Sequence, residues 1–139
     1  MSTNLDLVNE ITVEEAAHFS VSADGTLSGD AVDTATYLSG MAVVSCSQLN
    51  DGEGHSNALT LQHSDDGITF VDIPTANLLG SNLTVDAVTD TATPLGKQGF
   101  FGQKRYVTAS CVSTSVDGEG DPTIIDVDIV LKTSTTTAP

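Results

Sequence analysis

The sequence predicts an all-β chain folded as a single-domain antiparallel β-sandwich, and three observations carry that reading. Thr and Val recur throughout, whereas runs of Leu, Glu, Lys and Ala are missing. β-Branched side chains fit a pleated surface and lose rotamer freedom in a helix. Short alternating segments are separated by turn signals about every 8–12 residues, the spacing of a sandwich or barrel. No stretch carries the long helical periodicity that crossovers between parallel strands need. At 139 residues the chain has the length of one domain.

Residues 1–17 are acidic and read as an N-terminal arm or short helix, with Thr12 and Glu15 spaced as in a capping box. The sandwich domain follows over 18–132. HFSVSADG alternates, Phe19 and Val21 against His18, Ser20 and Ser22, and Asp24-Gly25 marks a turn. AVDTATYLSG is a second short extended segment. MAVVSCSQL, 41–49, is a strong strand without Pro or Gly, and NDGEGHSN, 50–57, is a loop of turn residues. ALTLQHS, 58–64, alternates with Leu59 and Leu61 on one face. ITFVDIP, 68–74, sets Ile68, Phe70 and Asp72 on one face and Thr69, Val71 and Ile73 on the other, until Pro74 ends its ladder. Residues 75–96 are less regular: TANLLGS reads as a helical turn and SNLTVDAV as a short strand. KQGFFGQ then holds Phe100 and Phe101 between glycines. KRYVTASCVSTS, 104–115, is the second strong strand, VDGEGDP is a loop, and TIIDVDIVLK, 123–132, closes the domain with Ile125, Val127, Ile129 and Leu131 on one face. Residues 133–139, TSTTTAP, read as a flexible tail.

Charge narrows the partners. The net charge is −15, from 19 acids against four bases, and no Lys or Arg precedes Lys97. Phosphate backbones repel such a chain, so no nucleic-acid partner is expected. The N-terminal MSTNLDLVNE lacks the basic and apolar regions of a secretory leader, and no apolar run reaches membrane-spanning length. The expectation is synthesis in the cytosol with no membrane partner. Cys46 and Cys111 sit in strand-like stretches, either as two buried free thiols or as a disulfide. Spacing alone leaves both open.

The stretch LQHSDDGITFVDIP poses the main chemical question. Asp65 and Asp66 are either a carboxylate pair for acid–base or metal chemistry, or part of a turn. Ser64-Asp65-Asp66-Gly67 between two alternating segments is a hairpin signal, because Asp tolerates the left-handed region and Gly adopts it freely. Adjacent aspartates also tend to point apart, so the turn reading is the stronger. The loops NDGEGH and VDGEGD both offer oxygens to Ca²⁺, but neither has EF-hand spacing. His18, His55 and His63 lack the spacing of a zinc site. No nucleophile elbow, phosphate loop, dinucleotide fingerprint or paired-cysteine motif appears. The chain is therefore expected not to be an enzyme, with no catalytic residue, no cofactor and no metal. Lys104-Arg105-Tyr106 is the one basic cluster, at the start of a strong strand. It serves either local charge balance or an interface, where Arg and Tyr are enriched.

Three blocks together resemble a family of small virion proteins of tailed bacteriophages. The first runs from Ser28-Gly29 through Val32-Asp33 to Tyr37. The second runs from Ser64-Asp65-Asp66-Gly67 through Phe70 and Asp72 to Gly80. The third is Gly102 with Lys104-Arg105-Tyr106-Val107. They occur in the family's order and cover about residues 24–113. One departure is Thr108, where the family pattern often has a second Arg. The resemblance implies a jelly-roll-like sandwich acting as a capsid decoration, or cement, protein. Its partner would be the major capsid protein, and it would work as a homo-oligomer, a dimer or trimer, on the capsid exterior of virions assembled in the host cytoplasm. Rival readings are a head–tail connector or tail component, and a carbohydrate-binding sandwich. The last is disfavoured by the absence of Trp and the presence of only two Tyr.

Overall fold

Residues Thr123–Lys132 show why this chain folds into strands. Ile125, Val127, Ile129 and Leu131 are all buried, and the alternate residues are only partly so. A period of two with one apolar face is satisfied only by a strand lying on a core. The computed structural model describes residues 11–80, 83–86 and 92–132. It has the strands β1 (Ile11–Val21), β2 (Gly25–Ser28), β3 (Val32–Asp33), β4 (Ser39–Gln48), β5 (Ser56–Ser64), β6 (Val71–Asp72), β7 (Leu78–Leu79), β8 (Leu83–Asp86), β9 (Ala92–Phe101), β10 (Tyr106–Thr114) and β11 (Thr123–Lys132). One short 3₁₀ turn, Thr75–Asn77, lies between β6 and β7.

These strands form two antiparallel sheets packed face to face. The first sheet has the order β1-β11-β4-β9-β7. The second is built on the long β10–β5 pair, which runs from Tyr106 opposite Ser64 to Thr114 opposite Ser56. Its margins are interrupted. β2 and β3 share the outer side of β10, and β6 and β8 share the outer side of β5. The chain is thus an all-β sandwich, as its composition and alternation predict. The jelly-roll refinement remains an expectation.

The core lies between the sheets. Phe19, Val21, Val44, Phe100, Ile125, Val127, Ile129 and Leu131 from the first sheet meet Leu59, Leu61, Val107, Ala109 and Cys111 from the second. Each large aliphatic or aromatic side chain taken out of water contributes roughly 1.5–3 kcal/mol. The gap between the sheets lined by Val44, Leu59, Leu61, Ala109 and Val127 leaves no room for a water molecule. Cys46 and Cys111 are buried thiols that are not bridged to each other, so they do not join the two sheets by a disulfide.

Four local expectations are corrected. Residues 11–17 are neither arm nor helix; they are the first part of β1, paired with β11 from Ile11 opposite Lys132 onward. Burial of Ala16 and Ala17 against the core outweighs the helical propensity of VEEAA. Residues 1–10 and the 133–139 tail lie outside the described residues. Only Val71 and Asp72 of the 68–74 segment pair as strand, and its faces do not alternate: Ile73 is buried while Val71 is half exposed. Residues 92–101 form a ten-residue strand at the centre of the first sheet's outer half. Gly96 and Gly99 hide that strand from a pattern search. At Gly99 a Cβ would crowd the Leu79 side chain at 3.3 Å. Finally, AVDTATYLSG is not one extended segment: it turns at Thr34–Tyr37, closed by Tyr37 N–H donating to Thr34 O at 2.9 Å.

Phe100→Ala should lower the free energy of unfolding by about 3–5 kcal/mol, since it empties a fully enclosed site. Leu38→Ala, at an exposed position, should change it by less than about 0.5 kcal/mol. Urea unfolding followed by circular dichroism measures both.

Candidate functional site

The Ser64–Gly67 stretch is a turn wired by its own side chains. The Ser64 hydroxyl donates to Asp66 Oδ1 at 2.8 Å and accepts from the backbone N–H groups of Asp66 and Gly67 at 3.1 and 3.0 Å. Asp66 Oδ1 also accepts from the N–H groups of Ile68 and Thr69 at 2.9 and 3.0 Å. Gly67 adopts φ +76°, in the left-handed region, and its Cα faces the Tyr106 ring closely enough that a Cβ would touch it at 3.5 Å. The N–H donors from Thr69 and Ile68, with the Ser64 hydroxyl, hold the Asp66 carboxyl down at about 2. Asp66 is therefore a turn anchor, and the paired-carboxylate alternative fails on geometry. Asp65 points elsewhere, to Lys104 Nζ at 3.5 Å.

The basic cluster lies against this turn. β10 sets Tyr106 opposite both Ser64 on β5 and Asp33 on β3. Arg105 engages Asp33 through Nε to Oδ1 at 3.1 Å and Nη2 to Oδ2 at 2.9 Å, and its guanidinium lies 5.0 Å from the centre of the Tyr106 ring. The Arg105 hydrogen bonds, with the Ala35 N–H, hold the Asp33 carboxyl below the ordinary range. The Arg105 carbonyl accepts from Thr34 N–H at 2.7 Å and Thr34 Oγ1 at 2.8 Å. Gln103 Nε2 donates to Tyr37 O at 3.1 Å. His63 is buried and accepts the Lys104 N–H on Nδ1 at 3.2 Å, so that nitrogen carries no proton. Burial and the Lys104 charge push its pKa down.

Asp33, Thr34 and Tyr37, the Ser64–Gly67 turn, and Lys104 to Tyr106 thus meet at one end of the sandwich, although they are far apart in the chain. Both bases of the cluster are matched to an acid. Ile68, 83% exposed, and Leu38, 73% exposed, stand beside them on the same end, with the partly exposed Phe101 at the end of β9. The surface there is apolar and locally charge-balanced.

The opposite end is acidic. Its loops, 22–24, 49–55 and 115–122, contain Asp24, Asp51, Glu53, Asp117, Glu119 and Asp121, without Lys or Arg. They are stitched together from beneath. Asn50 Nδ2 donates to the carbonyls of Asp117 and Asp121 at 2.9 and 2.8 Å, and its Oδ1 accepts from the N–H groups of Gly52 and Asp117 at 2.9 and 2.8 Å. Gly52 is required, since a Cβ would sit 2.2 Å from Ser115 O. The two DGEG loops are neighbours, joined through Asn50. Among the described residues, however, their carboxylates do not converge as a three-ligand set, and the Asp117 and Asp121 carbonyls are taken by Asn50. Below them His55 is buried. Its Nδ1 faces Thr114 O at 3.0 Å, a group that can only accept, so Nδ1 donates. Its Nε2 then accepts from Thr123 Oγ1 at 2.8 Å and from Asn57 Nδ2 at 3.0 Å. Ser113 Oγ donates to Asn57 Oδ1 at 2.7 Å. Sequence reading missed this buried network, because His, Asn, Ser and Thr in loop-like stretches look solvated until the sheets enclose them. No family model matches the chain, and no curated protein matches it.

Two predictions follow from the wiring. A carboxyl whose folded pKa is depressed stabilises above its unfolded value of 3.8 and loses that contribution as pH falls through about 2. The stability gap between wild type and Asp66→Ala should therefore be full at pH 5 and close towards pH 2, while Asp66→Asn, which keeps the acceptor oxygen, should be milder; thermal melts across pH check this. Thr123→Val should cost about 1–3 kcal/mol by leaving the buried Asn50 N–H without its acceptor, read by urea unfolding.

Proposed function

We propose that this protein is a structural component of a tailed-bacteriophage particle, a decoration or cement protein that binds the assembled lattice of the major capsid protein from outside as a homo-oligomer, a dimer or trimer. The observation that carries the reading is the convergence of the three resemblance blocks. Residues scattered from Asp33 to Tyr106 build one surface at one end of the sandwich.

That end is suited to docking. Interface centres are depleted in unpaired charge and enriched in aromatic residues and Arg. Lys104 and Arg105 arrive already neutralised by Asp65 and Asp33, and Tyr106, Ile68 and Leu38 supply apolar area. The far end, carrying acids without bases, suits a surface turned to solvent, where like charge keeps particles apart. A protein that bridges neighbouring capsid subunits stabilises the assembled shell by mass action and binds free subunits weakly. Repetition over a lattice multiplies modest contacts. The close packing between Val44, Leu59, Leu61, Ala109 and Val127 fits a role that needs a rigid body.

Cryo-EM of the particle with which the protein co-purifies should show it in many copies on the icosahedral shell, with the Asp33–Tyr106 end inward. Density confined to the tail or the portal vertex would give the connector or tail reading instead, and absence from any particle would overturn both. In co-sedimentation with heads lacking the protein, Ile68→Asp with Arg105→Glu should weaken binding roughly tenfold or more. Glu119→Lys at the far end should leave it unchanged, provided the melts of both variants match wild type.

A further inference from the structure

We propose that Glu15, His18 and Asp126 bind one Zn²⁺ ion on the outer face of the first sheet, tying the edge strand β1 to β11. The three side chains each offer one ligand atom, and these atoms lie within 4.8 Å of one another. His18 Nδ1 is 2.5 Å from Asp126 Oδ1, across the strand pair and 108 residues away in sequence. The site is independent of the docking surface and of the capsid reading.

A bulge in β1 creates the set. In a regular strand residues three apart point to opposite faces, so Glu15 and His18 would be separated by the sheet. Here the pairing steps from Glu15 opposite Asp128 to Ala17 opposite Val127, and Ala16 is the extra residue. The additional residue restores phase and sets Glu15 and His18 on the same outward side. His18 then faces Asp126 directly. Sequence spacing could not reveal this, because neither the bulge nor the β1–β11 register is written in a local motif.

One imidazole and two carboxylates suit a borderline divalent ion better than Ca²⁺ or Mg²⁺, which prefer all-oxygen shells. Zn²⁺ bonds such atoms at about 2.0–2.2 Å. The ion would take the Nδ1 lone pair and one oxygen from each carboxylate, with water completing the shell. His18 and Glu15 are exposed and Asp126 is partly so, which leaves them free to open by the small rotation the ion requires. The strongly acidic chain raises the local concentration of divalent cations. Among the described residues β1 is an edge strand bonded within its sheet to β11, so a cross-strand ion would add a fastening at that edge.

The test is calorimetric titration of ZnCl₂ into the EDTA-stripped full-length chain, with thermal melts in parallel. Saturable binding of one ion per chain and a raised melting midpoint are expected, with no matching response to MgCl₂ or CaCl₂. His18→Gln should weaken binding about tenfold or more, and Glu15→Gln, which leaves the His18–Asp126 contact in place, should weaken it as well. Both variants should melt like wild type without metal, which separates ligand loss from misfolding. No saturable binding, or equal binding by both variants, would overturn the site and assign any zinc uptake to the acidic loops.

Discussion

The Thr123 hydroxyl holds the two sheets in one arrangement at the acidic end. It stands at the start of β11 in the first sheet, accepts the Asn50 N–H at 2.7 Å and donates to His55 at the mouth of β5 in the second. Everything above it depends on that pairing. Asn50 can grip the 115–122 loop only while its own backbone is fixed, and His55 can face Thr114 only in the tautomer that leaves Nε2 free to accept. A fully satisfied buried network of this kind specifies one packing, because any slip leaves a desolvated donor or acceptor behind.

The two ends solve the same problem differently. At the acidic end, neutral side chains beneath the surface organise loops whose charges all share a sign. At the other end, the turn is organised by a charged carboxylate, and the surface cations are held by surface anions. Between them the sheets close tightly around Val44, Leu61 and Val127. The contrast between the ends makes the described body electrically lopsided along its strands.

The sandwich was legible because its strongest evidence is local: 41–49, 58–64, 104–115 and 123–132 alternate or run apolar, and each became a long strand. The Ser64–Gly67 turn was legible for the same reason, since every partner of Asp66 lies within three residues. What could not be read was set by distant neighbours. β9 contains glycines that lie close against leucine side chains of β7 and β8, and VEEAA extends because β11 lies beside it. The pairing of Lys104 with Asp65 and Arg105 with Asp33 depends on register between β10, β5 and β3, which no single segment announces.

The broken margins of the second sheet bear on how the protein behaves when crowded. A long unpaired edge is a template on which another chain's strand can grow into a fibre. Here each outer side is divided between two short pieces, β2 with β3 and β6 with β8. An incoming strand would find only a few consecutive free hydrogen-bonding groups before the chain turns away. The second sheet thus gives an amyloid-like ladder little to grow on, and the longer margin among the described residues is β1, eleven residues at the edge of the first sheet.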